Sequence, residues 1–398
     1  MSTKLTTANG RVITLSNPMK LLDVIVIGGG LSGVLVSHGL QQQQLQTTQQ
    51  SSPLDWKLLE ARPVLGGRLA NDAAGRQIDM GGAWIWPAHQ PRVRKLVRQL
   101  DIPTFVQPDD PSSTRIEGGA VRLVEQLAQD LPSERMQLNT AVQSCTLLHR
   151  QDTNDRHDAN DASPIVQVQT TANETFFARR VVWAVPPRLL HEHVKFDPPL
   201  SPLKRQALAE AHTWMAGVTK VALVYGSRFW SLRASNMGLP SHLGPAFQVY
   251  DSSNRDNTVS ALTFFALAKD NVDDDAALAK QVADQMANVW NYLGEKEAAL
   301  KAHSFTEHFV QRWPQQAYIS EDPRPTHIHP HPAPEPALST TEWGGLLHFA
   351  GSEMDSLSPG VMEGAIGAAQ RVLQALKDTW TKEPAVQAAI CGTDAAGE

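Results

Sequence analysis

Short runs of apolar, mostly β-branched residues recur along the chain and predict buried β-strands. Residues 23–27 (DVIVI) and 180–185 (RVVWAV) are apolar at almost every position. A strand with one solvent-exposed face alternates polar and apolar residues, whereas a continuous apolar run needs both faces covered. Residues 56–60 (WKLLE) and 346–350 (LLHFA) are runs of the same kind. These runs predict a parallel sheet that is covered on both faces.

Between these runs, apolar residues repeat at helical spacing. Residues 91–100 (PRVRKLVRQL) are apolar at i, i+3, i+4 and i+7 counted from Val93, which is typical of an amphipathic helix. Further helices are predicted over 119–130 and 360–376, and another follows the first strand through Leu40. Strands that alternate with helices along the chain indicate the α/β class.

The middle of the chain, residues 191–342, differs in character from the two ends. It has strand-like runs at 218–225 and 259–267 and a helical pattern over 275–292. We therefore predict a second domain, built on a mixed β-sheet plus helices and inserted into a discontinuous first domain. The predicted limits are a flexible N-terminal tail over 1–22, the first domain over 23–190 and 343–380, the second domain over 191–342, and a C-terminal tail over 381–398.

Composition and charge narrow the class of protein. The 398 residues include 35 Lys and Arg against 41 Asp and Glu, a formal charge of −6 that gives no electrostatic basis for nucleic-acid binding. Two cysteines cannot form a disulfide framework, which favours a reducing, cytoplasmic location. No apolar run reaches the ~20 residues of a membrane span. Residues 1–22 are basic and free of acids, which leaves organellar targeting open as an alternative.

A glycine-rich motif follows the first predicted strand and begins the first predicted helix. The sequence GGGLSG at 28–33 has the GxGxxG spacing of dinucleotide-binding turns. Gly28 allows the tight turn, Gly30 lets the backbone approach a pyrophosphate, and Gly33 allows the helix to pack on the strand. Glu60 ends the second predicted strand, where a carboxylate accepts hydrogen bonds from ribose hydroxyls. The alternative is a glycine-rich turn without a ligand.

Three further segments carry a family resemblance. These segments are EARPVLGGRL at 60–69, DMGGAW at 79–84 and HFAGSEMDSLSPGVMEGAIGAAQRV at 348–372, and they follow one another in the same order as the family's motifs. They resemble the flavin-containing monoamine and polyamine oxidase family, which also includes flavin-dependent histone demethylases and L-amino-acid oxidases. The resemblance implies that the first domain is a Rossmann-like FAD-binding domain and that the second domain binds substrate.

The resemblance also implies which residues contact FAD. Arg68 resembles an arginine that contacts the pyrophosphate, Val142 matches a position near the adenine, and the backbone amide of Met362 corresponds to one that faces the flavin O2. The implied cofactor-binding residues are Gly28, Gly30, Leu31, Ser32, Gly33, Glu60, Ala61, Arg62, Gly67, Arg68, Gly81, Gly82, Ala83, Trp84, Val142, Gly351, Ser352, Glu353, Val361 and Met362.

Lys220 is the candidate catalytic residue. A lysine within the apolar run GVTKVALVY at 217–225 is out of pattern, because burying an ammonium is costly; an outward-facing lysine is the alternative. The segment resembles the family strand whose lysine holds a water at flavin N5. The implied reaction passes a hydride from the carbon beside an amine to N5, which gives an imine and then an aldehyde or ketone. O2 would reoxidise the flavin and form H2O2.

The chain departs from the family pattern at several positions. Members that bind FAD covalently use a cysteine that is missing from WPQQAYISED at 313–322, so non-covalent FAD is predicted. Val361 stands where the family has an aromatic-cage tyrosine. Tyr318 and Trp343 are candidate substitutes for it, and Trp313 resembles a family tryptophan near the flavin.

A long helical insertion that roofs the substrate cavity in many relatives is missing between Gln107 and Arg115, which predicts a more open site, or one completed by a partner or by the loop at 323–336. The alternating histidines at 327, 329 and 331 are interrupted by prolines and have no evident acidic partner, so no metal site is predicted. The partners that the family resemblance implies are an amine substrate and O2. The alternatives are an FAD-dependent desaturase or porphyrinogen-type oxidase, and a non-catalytic FAD-binding interaction protein.

Overall fold

The structure is a computed structural model that describes residues 3–15, 20–46, 54–150, 163–232, 235–240, 242–267, 273–320 and 330–391. Its strands are β1 (Thr3–Thr7), β2 (Val12–Leu15), β3 (Leu21–Ile27), β4 (Trp56–Leu59), β5 (Trp84–Ile85), β6 (Thr104–Gln107), β7 (Asp110–Ile116), β8 (Met136–Gln137), β9 (Val142–Arg150), β10 (Ile165–Thr170), β11 (Thr175–Trp183), β12 (Lys195–Asp197), β13 (Thr219–Tyr225), β14 (Met237–Gly238), β15 (Ala246–Asp251), β16 (Ser260–Ala266), β17 (Phe305–Arg312) and β18 (Leu347–Phe349). Its helices are α1 (Leu31–Gln46), α2 (Pro91–Gln99), α3 (Arg122–Gln129), α4 (Pro187–His193), α5 (Pro202–Glu210), α6 (Asp275–Leu293), α7 (Lys296–Lys301), α8 (Pro336–Ser339) and α9 (Met362–Cys391).

The larger sheet has the strand order β2-β1-β9-β10-β11-β3-β4-β8, with β18 beside β11 and β12 beside β9. The strands β11, β3, β4 and β8 are parallel to one another, and β18 is parallel to β11. The part from β2 to β11 is antiparallel. The predicted buried strands therefore form a parallel layer, and the predicted α/β class is confirmed.

Helices cover both faces of the parallel layer. Val24 and Val26 of β3 pack into a core shared with α1, α2, α3 and α9. Ile25 and Ile27, which point the opposite way, pack into a core shared with α4, α5 and α8. Each fully buried side chain of this kind contributes about 1.5–3 kcal/mol. The two opposed cores explain why β3 has no polar position between Val24 and Ile27.

Both predicted tails are wrong in part. Residues 3–15 form a hairpin of β1 and β2 instead of a flexible tail, and β1 extends the larger sheet by pairing with β9. Leu5 is fully buried against Leu148 and Ile165, which anchors the hairpin. At the other end, α9 continues past residue 381 to Cys391, and residues 392–398 lie outside the described part of the chain.

The second sheet has the order β14-β15-β16-β13-β17, and all of its described strand pairs are antiparallel. The prediction of a mixed sheet is therefore wrong. Helices α6 and α7 cover its outer face, where Val221 and Leu223 of β13 meet Val282 and Met286 of α6. Because successive strand residues point to opposite faces, Lys220, Ala222 and Val224 lie on the inner face.

The inner face of the second sheet meets the first domain. Ala222 and Val224 pack against Ile78 and Met80, which come from the loop before β5. Since Lys220 lies two residues before Ala222 on the same face, it points toward this junction. Because side chains alternate between the two faces of β13, the charged side chain of Lys220 points into the space between the two sheets.

The predicted domain boundary at residue 191 is too early. Strand β12 pairs in parallel with β9 of the larger sheet. Leu200 and Leu208 pack into the core below that sheet, together with Leu338 of α8. All strands of the second sheet lie between β13 and β17 along the chain. Helices α5 and α8, which flank that span, pack with the first domain.

A small sheet of order β5-β7-β6 includes residues 107–115, where the sequence lacks the helical insertion of the family pattern. Only residues 108–109 connect β6 to β7. The amide of Gln107 donates to the Asp251 carbonyl at 2.7 Å, and the Asp109 carboxylate accepts from the Asp251 backbone N–H at 3.0 Å. This hairpin is therefore fastened to β15 by polar contacts.

Candidate active site

A cavity of about 450 Å³ lies between the parallel layer of the larger sheet and the inner face of the second sheet. It is lined by most of the residues that the sequence singled out. The predicted residues that line it are Gly28, Gly30, Leu31, Ser32, Glu60, Gly67, Arg68, Gly81, Gly82, Ala83, Trp84, Lys220, Trp313, Tyr318, Gly351, Ser352, Val361 and Met362. Segments far apart in the sequence thus meet around one space.

Other predicted residues lie outside the cavity lining. Gly33, Ala61, Arg62, Val142 and Glu353 are not in its wall. Trp343 is also absent from the wall, and its prediction as a substitute cage residue is wrong. Its ring packs against Phe196 of β12 with centroids 6.2 Å apart, in the core on the opposite face of the larger sheet.

The glycine-rich turn leaves room for a phosphate group. A side chain at Gly33 would place its Cβ 1.8 Å from the Gly28 carbonyl oxygen, so the helix contacts the turn directly. At Gly30 a Cβ would meet only the Gly67 Cα, at 3.8 Å, and would otherwise point into open space. Helix α1 begins at Leu31, and the first N–H groups of a helix have no acceptors within it. The turn therefore fits a pyrophosphate.

Glu60 lies at the end of β4 with both carboxylate oxygens engaged. One accepts from the Gly29 N–H, and the other accepts from the Arg62 N–H at 2.8 Å. Burial raises the pKa of Glu60, and these hydrogen bonds together with the Arg62 charge oppose the rise. Because the carboxylate also lines the cavity, its position fits contact with ribose hydroxyls.

Arg68 joins two segments at the cavity that are far apart in the sequence. Its guanidinium makes two hydrogen bonds to the Glu353 carboxylate, at 2.7 and 3.0 Å, and one to the Ser352 hydroxyl at 2.7 Å. Burial alone would raise the pKa of Glu353, but the Arg68 charge and hydrogen bonds hold it below the usual value. This paired geometry fixes a cation at the wall, where it suits a phosphate oxygen.

Helix α9 begins at Met362 beside the cavity, and Ala365 of its first turn also contributes to the wall. The positive end of this long helix faces the space, which suits a ring that carries negative charge. Glu363, which the sequence analysis missed, is buried and accepts from the N–H groups of Arg92 and Val93 at 3.0 and 2.9 Å. It thereby caps α2 and holds the start of α9 in place.

Lys220 lies on the wall opposite the glycine-rich turn and is only 2% exposed. Its Nζ donates to the Gly81 carbonyl at 3.0 Å and lies over the rings of Trp84 and Phe265, at 5.2 and 5.4 Å from their centroids. Burial lowers the pKa of Lys220 to about 8, while the nearby Asp79 carboxylate opposes the fall. An amine that changes charge near neutral pH is suited to proton transfer.

Aromatic side chains that the sequence analysis missed complete this end of the cavity. Phe247 and Tyr250 of β15 and Phe265 of β16 line it, and the ring of Tyr250 lies 4.5 Å from that of Trp84. Trp214 lines it as well. Phe265 lies within the predicted strand 259–267 and faces Lys220 across the sheet, so strand alternation was the signal that could have identified it.

None of the described helices has the length and apolar character needed to cross a membrane. Within the same part of the chain, no group of three or more His, Cys, Asp or Glu side chains is arranged to hold a metal ion. The histidines at 327 and 329 lie outside the described residues.

Comparison with known families identifies the class. The flavin containing amine oxidoreductase family matches residues 110–376, and an NAD(P)-binding Rossmann-like domain matches residues 26–100. The chain therefore belongs to the flavin containing amine oxidoreductase family. This confirms the predicted family and, with it, FAD as the cofactor.

Individual relatives agree with this assignment. The chain is 27% identical over 268 residues to a probable flavin-containing monoamine oxidase A of Dictyostelium discoideum, covering 66% of this chain and 53% of that protein. It is 27% identical over 264 residues to a flavin-containing amine oxidase of Danio rerio, covering 65% and 45%. The chain thus spans about half the length of the curated relatives it matches.

Solved structures share the fold. Cyclohexylamine oxidase from Brevibacterium oxydans IH-35A superposes with a TM-score of 0.68 at 16% identity, over 91% of this chain and 100% of that chain. Wild-type putrescine oxidase bound to putrescine superposes with a TM-score of 0.64 at 16% identity, over 92% and 100%. At this identity the likeness establishes a common fold.

Proposed function

We propose that this protein uses FAD to oxidise an amine to an imine, which hydrolyses to an aldehyde or ketone, with O2 as electron acceptor and H2O2 as product. One observation carries the proposal: a buried lysine on the second sheet faces the same cavity as the glycine-rich turn of the first domain. The proposed FAD-binding domain consists of the larger sheet with its helices, and the proposed substrate domain is the second sheet with α6 and α7.

In this proposal, bound FAD supplies a two-electron oxidant for the C–N bond. The glycine-rich turn, Glu60 and Arg68 hold the dinucleotide, and the start of α9 places positive backbone charge beside the ring. Ala61, Arg62, Gly33, Val142 and Glu353 lie outside the cavity wall, and their contacts with FAD stay predictions from the family resemblance.

The chain's own side chains favour the uncharged amine. Trp84, Phe247, Tyr250 and Phe265 surround the substrate end with apolar surface, and burying an ammonium there without a partner is costly. Lys220 contributes Nζ donors or a lone pair at the same wall, so it can hold a water molecule or move a proton. These residues exclude bulk water and orient the substrate, which are the tasks a protein performs for a redox cofactor.

We propose that the FAD is dissociable. The described residues after Trp313, up to Ser320, contain no cysteine. Cys145 is fully buried in the core of the larger sheet, away from the cavity wall, and burial raises the pKa of its thiol, so it is a poor nucleophile there. Acid treatment of the purified protein should therefore release all flavin into the supernatant. Flavin that stays with the precipitated chain would contradict non-covalent binding.

The test of function is anaerobic mixing of the FAD-loaded protein with primary, secondary and polyamine substrates. We expect at least one amine to bleach the flavin absorption, and H2O2 to form when air is admitted. Lys220→Met should bind FAD but bleach far more slowly. Bleaching at an undiminished rate in Lys220→Met would contradict the role of Lys220. Bleaching by a porphyrinogen or a polyene precursor instead of any amine would favour the oxidase or desaturase alternative, and bleaching by none would favour an interaction protein.

A further inference from the structure

We propose that Trp313 is a positioning residue for Lys220: its indole N–H fixes the loop whose next carbonyl accepts the hydrogen bond of the Lys220 side chain. The inference rests on the proposed function only in giving Lys220 a part in the reaction. The two hydrogen bonds belong to described residues, so their role can be tested without a substrate.

Two side-chain donors from the second sheet side of the cavity meet successive carbonyls of one loop. The Trp313 Nε1 donates to the Met80 carbonyl at 2.9 Å, and the Lys220 Nζ donates to the Gly81 carbonyl at 3.0 Å. Both carbonyls belong to the loop before β5. Because Trp313, Lys220 and Met80 are all buried, little water competes for these hydrogen bonds.

The register of the second sheet fixes the two donors relative to each other. Strand β17 pairs with β13 so that Gln311 lies opposite Lys220. The Trp313 N–H continues this pairing by donating to the Val218 carbonyl at 3.3 Å. Trp313 then begins a short 3-10 helix, Trp313–Gln315. The indole and the ammonium are therefore held on one frame and approach the loop together.

The first domain holds the opposite side of the same loop. The N–H groups of Met80 and Gly81 both donate to the Ala70 carbonyl, at 2.8 and 3.2 Å. The Gly82 N–H donates to the Arg68 carbonyl at 3.1 Å, and a Cβ at Gly81 would lie 2.0 Å from that oxygen. The N–H groups of the loop are thus fixed from the first domain, and its carbonyls are fixed from the second sheet.

Loss of the indole donor acts on Lys220 through this loop. The segment that carries the Gly81 carbonyl also carries Trp84, whose ring centroid lies 5.2 Å from the Lys220 Nζ. Without its donor the Met80 carbonyl is left unsatisfied, and the loop must move to find another partner. The acceptor and one aromatic neighbour of the ammonium then move together. A displacement of about 1 Å near a reacting group can cost about 100-fold in rate.

The first test is hydrogen–deuterium exchange of the FAD-loaded protein in the absence of amine. Trp313→Phe keeps an aromatic ring at this position and removes the donor. We expect the peptide that spans 79–84 to exchange about 2- to 10-fold faster, which corresponds to the loss of one hydrogen bond.

Trp230→Phe is the matched control. Trp230 and Trp313 are both 5% exposed, and the Trp230 Nε1 donates to the Asp251 carboxylate at 3.1 Å. Trp230 packs in the outer core of the second sheet and does not line the cavity. Its substitution should leave the exchange of 79–84 unchanged. Unchanged exchange of this peptide in Trp313→Phe would overturn the proposal, and so would an equal acceleration in both variants.

The second test is a double-mutant cycle that measures whether Trp313 acts through Lys220. The quantity compared is the limiting rate of anaerobic flavin reduction by benzylamine, or by the fastest amine of the panel above if benzylamine is inert. Trp313→Phe should lower this rate by about 10-fold or more when Lys220 is present. In the Lys220→Met background it should lower the rate by less than about twofold, because two residues that act on one step are not additive. Equal effects in the two backgrounds would overturn the positioning role.

A second replacement covers the case in which Trp313→Phe does not retain FAD. An unnatural amino acid with benzothiophene in place of the Trp313 indole keeps both fused rings and has sulfur where the indole has its N–H. The exchange and rate comparisons are then made with this replacement, and the same results support or overturn the proposal.

Failure of the proposed function gives a different result. A protein that oxidises no amine but loses protection of 79–84 in the Trp313 variant alone retains the anchoring role of Trp313 and loses the amine oxidase proposal. A protein that oxidises amines but keeps that protection retains the activity and loses the Trp313 assignment.

Discussion

Two regions of the molecule each bury a lysine, and only one of them is at the cavity. Lys204 of α5 is 1% exposed and Lys220 of β13 is 2% exposed. Burial lowers the pKa of Lys204 to about 7 and that of Lys220 to about 8. Both lie over aromatic rings, with Lys204 3.9 Å from the Phe349 centroid. By burial and proton affinity the two lysines are nearly alike.

Their hydrogen bonds distinguish them. Lys204 Nζ donates to the carbonyls of Leu338 and Thr340, at 3.0 and 2.7 Å, and so satisfies the end of helix α8. Lys220 makes one hydrogen bond to a described residue, Gly81, and its remaining donors face the cavity. A depressed pKa is therefore not a sufficient sign of catalysis, and donor capacity directed into a cavity is the better one.

The largest expected difference between the two regions is in the effect of replacing the buried lysine with methionine. Lys220→Met should lower the rate of anaerobic flavin reduction by about 100-fold or more, the usual contribution of a proton-transfer group. Lys204→Met should leave that rate within a factor of about two while lowering the free energy of unfolding by about 1–3 kcal/mol, since the buried Leu338 carbonyl and the partly buried Thr340 carbonyl lose their donor. Stopped-flow reduction and urea unfolding measure the two quantities.

The contrast would disappear if Lys204→Met slowed flavin reduction as strongly as Lys220→Met. Equal FAD content in the two variants is the necessary control. A Lys220→Met variant that unfolds early but reduces its flavin normally would reverse the assignment of the two lysines.

The burial of Lys220 could be predicted from the sequence, whereas the burial of Lys204 could not, and the reason is physical. Lys220 interrupts a continuous apolar strand, so its burial is visible in the local pattern. Lys204 stands in PLKRQALAE, where a lysine is ordinary on the exposed side of a helix. Its burial comes from α8, more than 130 residues away, and the sequence carries no local trace of that contact.

The two ends of the cavity also differ in how well the sequence alone predicts them. The proposed cofactor end consists of turns whose glycines are needed for close backbone contact, as at Gly33 and Gly81, and such turns have fixed spacing in the sequence. The proposed substrate end consists of side chains from separate strands, such as Tyr250 and Phe265, that meet only through tertiary packing. Motifs therefore predict the first end, whereas the second becomes visible only from the register of the sheet.

The second prediction concerns the pH dependence of stability. Both lysines have a folded pKa below their ordinary value of 10.5, so the unfolded chain binds more protons above the folded pKa and stability rises with pH. Each contributes a slope of about 1.4 kcal/mol per pH unit, beginning near pH 7 for Lys204 and near pH 8 for Lys220. Urea unfolding from pH 7 to about 9 measures the slope, below the range where buried tyrosines titrate.

The matched variants separate the two contributions. Lys204→Met should lose its share of the slope over the whole range, whereas Lys220→Met should lose it only above about pH 8. Identical slopes in the unsubstituted protein and Lys204→Met would show that the Lys204 ammonium is as stable in the folded chain as in water.

The smallest expected effect concerns the rings around Lys220. Phe265→Leu removes one of two rings beneath Nζ, and a cation–π contact is worth about 0.5–1 kcal/mol, so the Lys220 pKa should fall by about half a unit. Phe247→Leu is the matched control, since Phe247 lines the cavity and contacts Phe265 but is not beneath the ammonium. The pH titration of flavin absorption compares the two variants. Equal shifts in both would mean that apolar burial at this wall, and no particular ring, sets the proton affinity of Lys220.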